Sequence, residues 1–282
     1  MGLLRASARA CPPAVRAVET SAVSSLLFLG TGPGAPVRGK FFSSCLLRTA
    51  NASVLVDAGE PCSQRLVELG VSCAEIDAVL LTHGHSDHTA GLPMLLQSAW
   101  LAPRMKPLTI CLPQELIAPL QSWLRAVYLP PELLGFPLEF RPWAAGREFS
   151  LAEGLDVSPF PTTHLQSLRQ IIEPAAVDRF EIFGLSMNCF SQRVVFSSDL
   201  GAPDDLASAL EEPCDVLVCE LSHFTPEELF AFLRPKAIDL LVLNHLGTQH
   251  AGREEEIAAA ARTALPDIRE VVVPRDGALI EF

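Results

Sequence analysis

Three histidines and an aspartate fall within six residues in the run Leu81-Thr82-His83-Gly84-His85-Ser86-Asp87-His88. Histidine is the commonest divalent-metal ligand near neutral pH, and a carboxylate among imidazoles suits zinc or a similar first-row ion. In a tight loop His83 and His85 can point to one side while Asp87 and His88 swing to a neighbouring point, so one loop can feed two cations. Gly84 is expected to permit the bend. A lone histidine after a strand is more often a satisfied polar group than a ligand. Four such groups in one loop reverse that weighting, because clustered imidazoles without protons or metal are costly to bury.

Three more groups of ligand type end apolar, strand-like runs. His164 follows Val157-Ser158-Pro159-Phe160-Pro161-Thr162-Thr163, Asp199 follows Val194-Val195-Phe196-Ser197-Ser198, and His245 follows Leu241-Val242-Leu243-Asn244. Singly, each reads as a cap or a paired core residue; together they supply the two further imidazoles and the bridging carboxylate of a two-metal site. Ile76-Asp77-Ala78-Val79-Leu80-Leu81-Thr82-His83 and Ile238-Asp239-Leu240-Leu241-Val242-Leu243-Asn244-His245 share Ile, Asp, Leu and His at the same offsets. The echo predicts two strands that each deliver a histidine at a C-terminal end to one shared site. Chance similarity of two buried apolar runs is the alternative.

Positioning these groups requires a regular frame, and short β-rich runs alternate with helix-like segments throughout, predicting one layered α/β domain. Strands are expected at Ser25 to Leu29, Cys45 to Arg48, Ser53 to Asp57, Ala78 to Leu81, Leu108 to Cys111, Leu155 to Phe160, Val194 to Ser197, Val216 to Cys219, Leu240 to Leu243 and Val271 to Val273. Helices are expected at Pro61 to Leu69, closed by Gly70, and at Leu92 to Leu101, Gln114 to Tyr128, Pro203 to Leu210, Pro226 to Leu233 and Arg253 to Ala264. The Pro- and Trp-rich stretch from Ala102 to Gly154 resists assignment and is where an insertion or a substrate lid is expected.

The 282 residues, 49% apolar and 19% charged, exclude a disordered or fibrous chain. Three positive charges, Arg5, Arg9 and Arg16, sit in the first eighteen residues without an acid, so removing them takes the formal charge from −12 to −15. So acidic a body is a poor general surface for nucleic acid, which disfavours tRNA as a partner and favours a small substrate. No apolar run reaches the ~20 residues that span a bilayer. Residues 1–24 read as a disordered extension preceding a domain over 25–282; an organelle transit peptide would share their composition. The eight cysteines form no CxxC pair, and Cys111, Cys189 and Cys219 fall in apolar runs, so no disulfide framework and a reducing cytoplasm are expected.

The run His83-Gly84-His85-Ser86-Asp87-His88, followed in order by His164, Asp199 and His245, resembles the metallo-β-lactamase superfamily. Val54-Leu55-Val56-Asp57-Ala58-Gly59-Glu60 with Gln64-Arg65-Leu66, and Thr82 through Pro93, are similar to the ribonuclease Z branch and the cyclic-phosphodiesterase enzymes near it. The resemblance runs from about Ser25 to the C-terminus. It implies a four-layer αβ/βα sandwich with two Zn2+ ions, or Mn2+ or Fe2+ in their place, at the rim of two facing sheets. It further implies that His83, His85 and His164 hold one ion, that Asp87, His88 and His245 hold the other, and that Asp199 bridges them. Asp57 would support the metal-binding loop from behind.

Cys219-Glu220-Leu221-Ser222-His223-Phe224-Thr225-Pro226-Glu227-Glu228 looks like a shortened form of the branch's Glu and His element. His223, oriented by Glu220, is then the proton donor to a leaving alkoxide, while Asp87 orients or deprotonates the attacking water. The competing reading of the same residues is a helix start capped by Thr225 and Glu228. The long basic arm of ribonuclease Z enzymes is not visible between Leu108 and Leu155. Nor is the cysteine cluster of the phosphonate-pathway phosphodiesterases, since Gly30 to Cys45 holds only Cys45. The expectation is a hydrolase of a small or cyclic phosphodiester; a homodimer is compatible with the resemblance. A tRNA 3′-end endonuclease with a reduced arm, a lactone, thioester or β-lactam hydrolase, and a non-catalytic scaffold are the alternatives.

Overall fold

The computed structural model of the chain describes residues 23–102, 104–172 and 179–282. The expected N-terminal extension lies outside the described residues up to residue 22. In β1 (Ser25–Gly30) Leu26 and Phe28 belong to one apolar cluster and Leu27 and Leu29 to another, so the strand is buried on both faces. Such a strand needs a packed layer on each side. β2 (Ser44–Arg48) and β3 (Ser53–Val56) form an antiparallel hairpin, and α1 (Cys62–Glu68) closes before Gly70, whose φ is +77°. There follow β4 (Ala78–Leu80), α2 (Ser86–Thr89), α3 (Leu92–Leu101), β5 (Leu108–Leu112), α4 (Ile117–Ala126) and β6 (Leu138–Pro142).

The second half runs through β7 (Phe149–Ala152), β8 (Leu155–Pro161), β9 (Phe183–Cys189), β10 (Gln192–Phe196), β11 (Cys214–Leu221), α5 (Pro226–Leu233), β12 (Ile238–Leu246), α6 (Glu254–Ala264) and β13 (Glu270–Val272). β14 (Leu279–Glu281) then returns to the first half and pairs antiparallel with β1, Ser25 opposite Glu281. Two seven-stranded sheets result, ordered β14-β1-β2-β3-β4-β5-β6 and β13-β12-β11-β10-β9-β8-β7.

Period-two alternation sorts the apolar side chains into three layers. Leu26, Phe28, Val54, Val56 and Leu80 meet Leu185, Met187, Val216, Val218 and Val242 between the sheets. Leu55, Val79 and Ile110 face outward onto Leu66, Leu92, Leu96 and Leu124 of the first helical layer. Leu217, Cys219 and Leu241 face Leu229, Leu233, Ile257 and Ala261 of the second. Three apolar layers between four layers of structure make the αβ/βα sandwich. β3 to β6 run parallel, as do β10 to β13. Their C-terminal ends therefore open on a common rim, the usual place for a site in such sheets.

Several expected elements differ. Pro203 to Leu210 is not one helix but two short 3-10 turns, Pro203–Leu206 and Ser208–Leu210. Gln114 to Tyr128 is a 3-10 turn followed by α4, which stops at Ala126; Tyr128 takes φ +60° and so cannot continue it. The stretch 102–154 is neither an insertion nor a lid but part of both sheets, supplying β5, β6 and β7 as well as α4. Trp143 is buried and its Nε1 donates to the Leu81 carbonyl at 2.8 Å, tying the crossover between sheets to the strand-end loop after β4. β6 and β7 are edge strands only partly buried, so they lack the apolar runs that marked the others. All seven cysteines among the described residues are free and buried, which agrees with the absence of a disulfide framework.

Candidate metal centre

β4 ends in buried apolar residues, and the chain leaves it through Thr82 and His83, both fully buried. Asp57, just after β3, is the brace for this exit. Its φ of +58° turns the carboxylate back so that Oδ1 accepts from the Thr82 N–H at 2.9 Å, while Oδ2 lies 2.7 Å from His88 Nδ1. An ionised carboxylate only accepts, so His88 carries its proton on Nδ1 and turns its Nε2 lone pair toward the rim.

The same logic applies to two other rings. The Thr82 hydroxyl lies 3.0 Å from Asp57 Oδ1 and 3.0 Å from His83 Nδ1. Its single proton goes to the carboxylate, so its oxygen accepts from His83 Nδ1–H and His83 Nε2 is left as the free acceptor. Ser222 Oγ donates to the His245 carbonyl at 2.5 Å and lies 3.1 Å from His245 Nδ1, which leaves Nε2 to face Asp87 Oδ2 at 3.2 Å. Thr82 and Ser222 stand in the motifs without a role of their own. Thr82 adjoins His83, whereas Ser222 lies 23 residues from His245, so only the pairing of β11 with β12 brings it there.

Gly84 does not serve as expected. It is not among the glycines at positive φ, so the bend does not need it. A Cβ at this position would lie 2.9 Å from Leu116 Cδ2, so the requirement is close approach of the loop to that side chain.

His83, His85, His164 and Asp199 converge so that one potential ligand atom from each lies within 4.8 Å of the others, and Asp87, His88 and His245 form a second such group. Asp199 faces both. Its Oδ2 lies 3.9 Å from His83 Nε2 and 3.7 Å from His164 Nε2, whereas its Oδ1 lies 3.4 Å from His88 Nε2 and 3.7 Å from His245 Nε2. Asp87 Oδ2 sits 3.3 Å from His88 Nε2 and 3.2 Å from His245 Nε2. β4 and β12, which share the Ile, Asp, Leu, His echo, thus bring their histidines to the one carboxylate from opposite sheets. Buried His83 Nε2, His88 Nε2 and Asp199 Oδ1 have no hydrogen-bond partner. Such orphaned atoms are costly, and divalent cations between the two groups would satisfy all three, so the donor set fits the ions that the sequence suggested.

The electrostatics match this reading. Burial, then the neighbouring His88, drives the His83 imidazole well below its ordinary value, and burial takes His164 down to about 4. Both are neutral lone-pair donors near neutral pH. Burial is the largest influence on His88 and His245 and opposes their charge, but Asp199 together with Asp57 for His88 and with Asp87 for His245 raises both. In return, and against its own burial, Asp199 is held well below the carboxylate range by His245 and His88. Asp87 is likewise held low against burial by its contacts with His245 and His88.

Glu220, at the end of β11, is buried and accepts from the Leu200 N–H at 2.5 Å and the Ser222 N–H at 2.9 Å. His223 Nδ1 lies 2.7 and 2.8 Å from its two carboxylate oxygens, and the His223 ring packs 4.3 Å from that of His164. The helix start is capped separately: Thr225 Oγ1 accepts from the Glu228 N–H at 3.3 Å, and the Thr225 N–H donates to Glu228 Oε2 at 2.8 Å. Capping of α5 therefore makes no demand on His223, whose side chain remains 32% exposed beside the two ligand groups.

A family profile described as Anti-Pycsar protein Apyc1 matches residues 24–259. The chain belongs to the Anti-Pycsar protein Apyc1 family. It is also similar to the ribonuclease Z of Pseudomonas putida, 38% identical over 122 residues; the match spans 40% of this chain and 37% of that relative's length. Among solved structures, the metallo-β-lactamase fold protein YhfI from Bacillus subtilis superposes with a TM-score of 0.73 at 19% identity, covering 93% of this chain and 100% of that one. The short form of human tRNase Z superposes with a TM-score of 0.70 at 20% identity, covering 91% and 98%. The fold of this Apyc1 family member is the metallo-β-lactamase fold.

Proposed function

We propose that the chain is a binuclear metal-dependent phosphodiesterase that hydrolyses a small or cyclic phosphodiester, with zinc as the favoured ion and manganese or iron as alternatives. The observation that carries this reading is the division of Asp199, whose Oδ2 faces His83 and His164 while its Oδ1 faces His88 and His245. A pair of divalent cations held by the two groups supplies Lewis acidity, which acidifies water and neutralises charge on the non-bridging oxygens of a phosphodiester.

The chain's own residues orient the reactants and move the protons. Asp87, kept ionised by its histidine neighbours, orients the attacking water, whose proton passes to solvent. As the water oxygen bonds to phosphorus and the opposite P–O bond breaks, His223 protonates the departing oxygen. Glu220 holds the proton on His223 Nδ1, leaving Nε2 as the donor, and against partial burial it raises the imidazole above its ordinary value. The contact thereby favours the charged, proton-donating form of His223.

The second reading, a tRNA 3′-end endonuclease, is favoured by the similarity to ribonuclease Z. It is opposed by the net charge of −12 and by the use of residues 108–161 for β5, α4, β6, β7 and β8. The deciding experiment assays bis(p-nitrophenyl) phosphate, a 2′,3′-cyclic nucleotide, precursor tRNA, a lactone and a thioester with added zinc or manganese. Turnover of the small diesters is expected. Efficient cleavage of precursor tRNA at physiological salt, without turnover of the small diesters, would put the second reading first. Turnover confined to the lactone or thioester would overturn both.

A further inference from the structure

The loop between β1 and β2 runs past the second ligand group. At Gly34 an added Cβ would lie 3.3 Å from Asp87 Oδ2, the oxygen that meets His88 and His245. The loop thus forms a wall against that carboxylate, and a side chain at Gly34 would press on Asp87. Little apolar packing holds the wall in place. Gly34, Ala35 and Pro36 are exposed, and on the far side Val37, Arg38, Gly39 and Lys40 line an open groove of about 1420 Å3 instead of a core. A segment so built should open at low free-energy cost unless polar contacts tie it down.

One carboxylate supplies three of those ties. Asp276, in the turn before β14, accepts from the Thr31 N–H at 2.8 Å and the Thr31 hydroxyl at 2.7 Å through Oδ1, and from the Phe41 N–H at 2.6 Å through Oδ2. It therefore grips both ends of the loop at once. The Gly32 N–H to Phe41 carbonyl bond of 2.6 Å closes the neck, and Lys40 pairs with Glu254 of α6 at 2.9 Å. The turn carrying Asp276 is itself fastened to β1, with the Gly277 N–H donating to the Phe28 carbonyl at 2.7 Å and the Phe28 N–H to the Ala278 carbonyl at 2.9 Å.

We infer that Asp276 is a positioning residue: it holds the Thr31–Phe41 loop as a fixed wall over Asp87, and so sets how tightly the Asp87, His88 and His245 group binds its cation. The inference rests on the metal-centre reading above. It concerns a residue outside both ligand groups. Acting only through the loop, Asp276 affects one ligand group and not the other.

The test compares the full-length wild-type chain with Asp276→Ala and Gly34→Val, each loaded with zinc. Two quantities are followed: hydrogen exchange of the amides from Thr31 to Phe41, and zinc content against a graded chelator series. Asp276→Ala should speed exchange of the Thr31 and Phe41 amides at least tenfold. It should also release one zinc ion about 10–100-fold more readily, the range seen when support behind a ligand is lost, while the other ion stays. The ion released should be the one that His88→Ala loses.

Gly34→Val leaves the Asp276 contacts in place but crowds Asp87, so it should release the same ion without faster exchange. Exchange at wild-type rates in Asp276→Ala would show that Asp276 does not hold the loop. Faster exchange with both ions as firmly held as in the wild type would show that the loop is no wall for Asp87, as would wild-type zinc retention in Gly34→Val. A wild-type chain that takes up no zinc, seen before any variant is compared, would remove the metal-centre reading and this inference with it.

Discussion

Asp57 Oδ2 lies 2.7 Å from His88 Nδ1 across thirty-one residues of sequence, and this contact decides which nitrogen His88 turns to the site. Replacing Asp57 by Asn keeps a residue type that tolerates the φ of +58° but can offer an N–H where His88 needs an acceptor. Asp57→Asn should lower metal affinity about 10–100-fold with little change in fold, measured by competition with a chromogenic chelator. Unchanged affinity would show that the His88 tautomer does not depend on Asp57.

Asp199 supports a prediction of its own, because its two carboxylate oxygens face the two ligand groups. Two cations without a shared anion repel each other, so Asp199→Ala should lose metal and activity together. Elemental analysis of the wild type, purified without chelator, should find two divalent ions per chain. A variant with wild-type metal content and turnover would refute the bridge.

His223 gives a prediction that depends on the leaving group. A general acid contributes about 10²- to 10⁴-fold where a poor leaving group departs, and much less where the leaving group is a stable anion. His223→Ala should keep its metal, lose rate on that scale with an alkyl phosphodiester and lose little with a nitrophenyl ester. Equal losses on both substrates would leave the proton donor unassigned.

The pH profile tests Glu220. The His223 imidazole is raised above 6.5 because the Glu220 contact outweighs burial, so its protonated form persists above the ordinary histidine range and is lost as pH rises through the raised value. The alkaline limb of kcat for an alkyl diester should lie above that range and move down in Glu220→Gln. A limb that stays in place would dissociate Glu220 from the proton transfer.

Thr225 serves as the control for the capping reading. Thr225→Ala removes the side-chain acceptor for the Glu228 N–H at the start of α5 and should cost about 0.5–2 kcal/mol in denaturant unfolding. Metal content and the leaving-group dependence should not change. A loss of the leaving-group dependence in this variant would tie His223 to the cap.

What the sequence determined by itself was local in origin. The types and spacing in His83-Gly84-His85-Ser86-Asp87-His88, the alternation in β1, and the Pro and Gly marks around α1 each depend on neighbours a few residues away, so they were legible without a fold. The grouping of His164, Asp199 and His245 with that loop came from their places after apolar runs, and their assignment to one ion or the other from a family resemblance. Only the tertiary structure decided the rest. Which nitrogen each imidazole turns to the site depends on Asp57, Thr82 and Ser222, and the wall over Asp87 depends on a contact between Thr31 and Asp276, 245 residues apart. The edge strands β6, β7 and β14 are held by pairing with neighbours and not by an apolar run of their own. Hydrogen bonds between distant segments leave no period in the sequence, because their partners are set by how the two sheets pack and not by the chain beside them.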